Sequence, residues 1–395
     1  MIHYKYQKKG EALMAQYLQA KYIVLPDSVL EEGCLVIEKG KIVDILTTPP
    51  AGQKVTRYSN GILAPGLVDV HIHGYKGHDV MDLNVEGIRQ MAQHLPETGV
   101  TSWLATTLTA SAESLNQAVQ AVSQAVGAPG AKIQGVFLEG PYFTTTYKGA
   151  QNESYMSDPS IDQLLRWQEL SGGLVKKIAI APERAGVEDF TKQATEMGIH
   201  VSLAHSNATY DEAKRAVDAG ADTFIHTFNG MRGLHHREPG MVGAAMNLPD
   251  VYAEVIADGH HVHPVGIELL MKLRGERELV LITDSMRAGG LGEGTSSLGE
   301  FEVIVKDGTA RLKDSGSLAG SILTLDQAVR NVVQWGIASP IEAIRMASQT
   351  AAESAGLGDV CGSIQVGRAA DLTVFDADHL DLLATYIDGD MVFEK

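Results

Sequence analysis

Six residues of this sequence could do chemistry together. His71 and His73 are one residue apart and close the run Leu67-Val68-Asp69-Val70-His71-Ile72-His73. Alternate side chains of a strand point to the same side, so the two imidazoles would project together. Paired imidazoles at the end of a strand are a natural start for a divalent metal site, although a lone His-x-His is more often a pair of satisfied core histidines. Four further ionisable residues each follow an apolar run: Glu139 in Val136-Phe137-Leu138-Glu139-Gly140-Pro141, His205 in Leu203-Ala204-His205-Ser206, His226 in Phe224-Ile225-His226-Thr227, and Asp284 in Leu281-Ile282-Thr283-Asp284. One such residue would most often cap a loop. Six at the same place in a repeating pattern point to a metal-supported pocket. Nitrogen and oxygen donors without thiolate suit zinc, iron, manganese or cobalt alike.

Positioning these groups requires elements that end side by side. Strand-like runs are expected at 67–73, 101–108, 133–139, 177–182, 200–206, 223–228, 252–258 and 279–284, and helical stretches such as 85–95, 112–126, 186–197 and 211–219 lie between most of them. Such alternation predicts an α/β chain, specifically a (β/α)8 TIM-type barrel spanning 66–355. No Gly-x-Gly-x-x-Gly turn follows the first strand, which disfavours a dinucleotide-binding open sheet. The mouth of a barrel lies at the C-terminal strand ends, where all six residues fall. Segments 14–65 and 356–395 carry further β-type runs, with a hairpin at Lys39-Gly40-Lys41. Neither end has enough strands for a stable sheet. The expectation is a small β-sandwich-like domain built from both chain ends, with residues 1–13 as a loose tail.

Composition narrows the function classes. With 395 residues, 44% hydrophobic and 21% charged, the chain reads as an ordinary globular protein. Its net charge is 32 minus 49, or −17, which disfavours nucleic acid and requires local cations for any anionic substrate. The two cysteines, Cys34 and Cys361, show no metal or redox spacing and fit a reducing compartment. The first ten residues are too polar for a signal peptide, and no apolar run is long enough to span a bilayer. A cytoplasmic location without membrane partners is expected.

The order of these motifs carries a resemblance. With His-x-His after strand one, histidines after strands five and six and an aspartate after strand eight, the sequence resembles the amidohydrolase superfamily. Many members bridge two metals with a carboxylated lysine; here Glu139 in a Glu-Gly-Pro turn holds the third position. That turn, with Asn229, Arg237-Glu238-Pro239-Gly240, Asp258-Gly259-His260-His261 and Leu318-Ala319-Gly320-Ser321, is similar to the branch acting on N-acetylated amino-sugar phosphates. The likeness runs from about Leu25 to the C-terminus.

The resemblance implies that Glu139, His205 and His226 hold one metal firmly, and that His71 and His73 add a second with Glu139 bridging. Two divalent ions per subunit are therefore expected, zinc foremost, with iron, manganese or cobalt as alternatives. Asp284 would serve as general base and then general acid. Substrate would meet Ala150, Gln151, Asn229, Gly230, Arg237, His261, Leu318, Ala319 and Gly320, the phosphate being held around Arg237, His261 and Asn229. Relatives with one metal can carry a histidine where Gln151 stands. The implied activity is hydrolysis of the N-acetyl group of N-acetylglucosamine 6-phosphate to glucosamine 6-phosphate and acetate. A homodimer is also implied, in which Arg237 or His261 reaches the neighbouring site. The alternatives are another amidohydrolase, either a deaminase or a cyclic-amide hydrolase, and a non-catalytic sugar-phosphate-binding barrel.

Overall fold

The computed structural model describes residues 15–395; the tail expected at 1–13 and residue 14 lie outside the described residues. Eight parallel strands follow one another around a barrel in chain order: Leu67–Ile72, Val100–Thr106, Lys132–Tyr142, Val175–Ile180, His200–Leu203, Ala221–Phe224, Tyr252–Ile256 and Leu279–Ile282. Most of their side chains are buried on both faces, the signature of parallel strands covered by helices. The barrel closes between strands eight and one just beyond Ile282: Asp284 N donates to His71 O at 2.9 Å, and Ile72 bridges Ser285.

Strands five, six and eight stop earlier than the apolar runs suggest. His205, His226 and Asp284 have φ of 45°, 30° and 48°, and this left-handed turn takes the chain off the ladder. Each of these side chains therefore stands on a kink two residues past its strand.

The outer helices start where their sequence says they should. Thr209 caps Tyr210–Asp218 in a reciprocal box with Glu212, and Ser160 caps Ile161–Ser171, which ends at left-handed Gly172. After strand eight the chain makes an excursion of three antiparallel strands, Gly294–Leu298, Phe301–Lys306 and Thr309–Leu312, before returning to helix Leu325–Gln334. Its apolar underside, Leu298, Val303, Val305 and Ala310, packs with Leu108, Met286 and Ala319 at the barrel mouth. These three strands form a flap over the mouth.

Both chain ends enter one mixed sheet of eight strands, with Val55–Pro65 between Gln16–Val24 and Leu372–Asp376. The sheet curls: the Gly40 turn near one edge lies against the Asp388 turn near the other, and Leu18, Leu35, Val374 and Ala384 share one core. Val55–Pro65 then leads directly into the first barrel strand. A Cβ at the joint, Gly66, would lie 2.0 Å from Thr101 Oγ1, so only glycine fits there. Lys132 ties the two units together, reaching Asp371 at 2.9 Å and Asp388 at 2.7 Å. Among the described residues no helix is long and apolar enough to cross a membrane.

Candidate active site

All six residues meet at the C-terminal end of the barrel, and all are buried. Glu139 stands at the centre. Its Oε1 lies 3.2 Å from His205 Nε2 and 3.1 Å from His226 Nε2, while its Oε2 lies 3.3 Å from His73 Nε2. Burial opposes ionisation of Glu139, but hydrogen bonds from His205, His226 and His73 hold its pKa well below the usual carboxylate value. Main-chain carbonyls aim two of these rings: Tyr147 O accepts from His205 Nδ1 at 2.9 Å, and Asn229 O from His226 Nδ1 at 3.1 Å. Held there, each ring turns its Nε2 on Glu139, the atom that a metal would take in place of the proton shared with the carboxylate.

His71 and His73 close the other half. Asp284 Oδ1 lies 3.1 Å from His73 Nε2 and 3.6 Å from His71 Nε2. The second distance is too long for a hydrogen bond, and His71 Nε2 is buried with no partner among the described residues. Burial works against a proton on His73, yet contacts with Asp284 and Glu139 raise its pKa well above the ordinary value. Asp284 is likewise held below its ordinary value, burial being outweighed by His71 and His73. Two ionised carboxylates thus draw positive charge into a buried pocket where an imidazole nitrogen lies bare. A divalent cation satisfies both demands, so the residues fit a metal. Three of the groups occupy the left-handed region, and such non-glycine backbone, at about 1–3 kcal/mol each, clusters at functional sites.

Residues 62–392 match the profile of the Amidohydrolase family. The chain belongs to this family. Its relatives include the N-acetylglucosamine-6-phosphate deacetylase of Vibrio furnissii, 42% identical over 84% of this chain and 83% of the relative. Another is the N-acetylgalactosamine-6-phosphate deacetylase of Escherichia coli O157:H7, 39% identical over 92% of this chain and 96% of the relative. Among solved structures, a mutant N-acetyl-D-glucosamine-6-phosphate deacetylase from Mycobacterium smegmatis, in complex with N-acetyl-D-glucosamine-6-phosphate, superposes with a TM-score of 0.90. It is 30% identical, and the match covers 96% of this chain and 99% of that one. The barrel with an attached β domain is thus the fold of this amidohydrolase, and the deaminase and scaffold readings are not favoured.

The other residues singled out from sequence differ in how closely this amidohydrolase gathers them. Gln151 is buried against the cluster: its Nε2 donates to Glu139 Oε2 at 2.8 Å, and its Oε1 accepts from Thr109 N at 2.9 Å. Gly230 has φ of 60°, and a Cβ there would sit 2.7 Å from His205 Nδ1, so its glycine keeps the ring in place. Asn229 lies beside His226, to which its main chain is bonded. Gly320 and Ser321 run along Asp284, whose carbonyl accepts from Ser321 N at 2.7 Å, and Ala319 is buried under the flap. Leu318 bridges Arg311 of the flap, and Ala150 packs against the same apolar patch. His261 Nδ1 meets Asp258 Oδ2 at 2.6 Å. Arg237 is exposed on its loop, with Nη1 2.7 Å from His236 Nε2.

Sequence reasoning missed the residues beneath the site. Lys177 of strand four and Glu254 of strand seven are completely buried and form an ion pair inside the barrel. Glu254 Oε2 also lies 2.9 Å from His71 Nδ1. Asp69 accepts from Thr283 Oγ1 at 2.6 Å, and burial pushes its pKa up to about 7. A charge inside an apolar strand was the available signal, single at Glu254 and Asp69 and one of the pair Lys176-Lys177 in strand four. Glu183, on the loop after strand four, was missed too: it accepts from Thr144 Oγ1, Ser206 Oγ and Asn207 N, tying together the loops that carry Glu139 and His205.

Proposed function

We propose that this amidohydrolase hydrolyses the N-acetyl group of N-acetylglucosamine 6-phosphate, giving glucosamine 6-phosphate and acetate. The observation that carries the reading is the convergence of Glu139, His205, His226, His71 and His73 on one buried point with Asp284 Oδ1 at its edge. The names of the Vibrio furnissii and Mycobacterium smegmatis relatives supply the substrate class. Glu139, His205 and His226 would hold one divalent ion, and His71 and His73, sharing Glu139, a second, with zinc foremost and iron, manganese or cobalt able to replace it. When bound, such ions polarise an amide carbonyl and lower the pKa of water to around 7.

The chain's own residues do the rest. Asp284, ionised and fixed at the end of strand eight, accepts a proton on Oδ1 from the attacking water and returns it to the departing amine nitrogen. Gln151 and the main-chain carbonyls behind His205 and His226 keep the cluster from shifting as charge develops. Ala150, Leu318, Ala319 and Gly320 would close over the sugar. Arg237, His261, Asn229 and Gly230 would hold the phosphate, whose charge an acidic chain cannot otherwise accommodate.

A homodimer belongs to the same proposal. Val265, Leu269 and Leu273 leave one face of helix Pro264–Arg274 54%, 47% and 57% exposed, and Leu234 beside Arg237 is 60% exposed. Two buried free cysteines support a cytoplasmic location. The 4-epimer, N-acetylgalactosamine 6-phosphate, is the second reading, favoured by the name of the Escherichia coli relative.

Acetate release from both phosphorylated epimers, beside the unphosphorylated sugars and after chelation and metal return, tests the proposal. Metal-dependent release that requires the phosphate supports it, and the faster epimer names the substrate. Ammonia without acetate would sink it.

A further inference from the structure

Four histidines point at the metal site, and the groups behind them differ. His205 and His226 are backed by neutral carbonyls, and His73 Nδ1 is buried with no partner among the described residues. His71 alone is backed by a carboxylate, Glu254, whose other oxygen is taken by Lys177. Lys177, Glu254 and His71 are all 0% exposed, so the relay lies entirely within the barrel.

We infer that Glu254 and Lys177 are positioning residues for the second metal: Glu254 fixes His71 with its proton on Nδ1 and its bare Nε2 toward the site, and Lys177 holds Glu254 in place. The inference rests on the two-ion reading above.

Geometry and charge both favour this assignment. An ionised carboxylate only accepts, so a contact of 2.9 Å to Nδ1 requires the proton to sit on that nitrogen. Nε2 is then left as a lone pair, and it is the buried imidazole nitrogen without a partner on this ring. A carboxylate behind a ligating histidine makes it a stronger donor, and removing such a partner typically weakens metal binding by about 10–100-fold. Left alone, however, a buried carboxylate would be too costly to keep ionised. Lys177 offsets this, its ammonium paired with Glu254 Oε1 inside the barrel. The Lys177 ammonium also lies 5.2 Å from the centre of the Phe137 ring, whose edge-on contact with His71 has centroids 4.9 Å apart. Carboxylate, ammonium and aromatic ring therefore restrain a single imidazole. His73 Nδ1 has no such partner among the described residues, so of the two rings only His71 is held from behind.

The test uses full-length protein. Wild type and the double variants Lys177→Met/Glu254→Gln and Lys177→Met/Glu254→Leu, neither of which strands a buried charge, are stripped of metal. Each is titrated with Co2+ by visible absorption, and bound metal per chain is measured by mass spectrometry. The expected result is that the leucine variant keeps the first ion at wild-type affinity and binds the second about 10–100-fold more weakly. The glutamine variant, which still offers an acceptor to His71 Nδ1, should fall in between. Unchanged affinity for the second ion in a folded leucine variant overturns the inference, as does equal weakening of both ions, the mark of a purely structural role. Binding of a single ion by wild type overturns the two-ion reading and this inference with it, and is seen before any variant is compared. Should the variants fail to fold, the His71 tautomer in metal-free wild type decides, read by nitrogen NMR in alkaline buffer and assigned with a His71→Asn variant. A proton on Nδ1 supports the relay, and a proton on Nε2 overturns it.

Discussion

The half of the site formed by Glu139, His205 and His226 is held from its own rim, whereas the half formed by His71 and His73 is held from below. In the first, kinked strand ends present the rings, and carbonyls fix them, one from the neighbouring loop at Tyr147 and one from the His226 turn itself at Asn229. In the second, His71 lies within the first barrel strand and His73 just past its end, and the brace behind His71 is a buried ion pair deeper in the barrel. A neutral carbonyl fixes a tautomer without adding charge. A carboxylate adds basicity as well, but inside a protein it needs a cation beside it. Similar ligand types can therefore give ions of unequal affinity, and two ions bound as proposed would be lost by separate routes.

Asp284 touches the His71 and His73 half yet would serve the chemistry of both, so its removal gives the largest effect. Asp284→Asn should lower kcat by about 10²–10⁴-fold, with metal content by mass spectrometry unchanged. Lost metal with the lost rate would make Asp284 a ligand first and a base second.

Removing a histidine from each half sharpens the contrast. His73→Ala should weaken the second ion at least about 100-fold, beyond the usual cost of an outer partner, and leave the first in place. His205→Ala should release the first ion. If metal analysis finds the same loss from either variant, the halves are not independent.

Arg237 lies outside both halves and serves as the control. Arg237→Ala should raise KM for the phosphorylated sugar by about 10–100-fold, the worth of charge-assisted hydrogen bonds, and leave the unphosphorylated sugar and metal content unaffected. A change in metal stoichiometry would tie its loop to the His226 half.

The smallest effect concerns Asp69, beneath His71. Its pKa is raised to about 7, so between its ordinary value of 3.8 and about 7 the folded chain keeps a proton that the unfolded chain releases. Stability must then fall as pH rises through that window, by about 1.4 kcal/mol per unit. Asp69→Asn removes this slope, so urea denaturation should show the variant gaining on wild type from mildly acidic to neutral pH. Parallel curves would mean that Asp69 is ionised throughout.

The barrel and the six residues at its mouth were legible because their signals are local. A buried parallel strand is a continuous apolar run, and a polar residue ending such a run sits at the strand's end whatever the rest of the chain does. Val55–Pro65 was not legible as an eleven-residue strand, since Arg57, Ser59 and Asn60 interrupt its first half with loop-forming chemistry. The parallel ladder from Gln16–Val24, with Gln19 opposite Arg57, overrides them, while Leu372–Asp376, from the far end of the chain, pairs with the second half, Gly61 to Pro65.

By itself, then, the sequence determined which side chains reach the mouth, because periodicity and strand termini are properties of short segments. Only the tertiary structure decided what stands behind them. Lys177 and Glu254 are 77 residues apart, and neither the Lys176-Lys177 pair nor Glu254 shows in the sequence what it would meet. Barrel closure sets strands one, four and seven around the same interior space, where low dielectric makes the pairing of those charges with His71 obligatory.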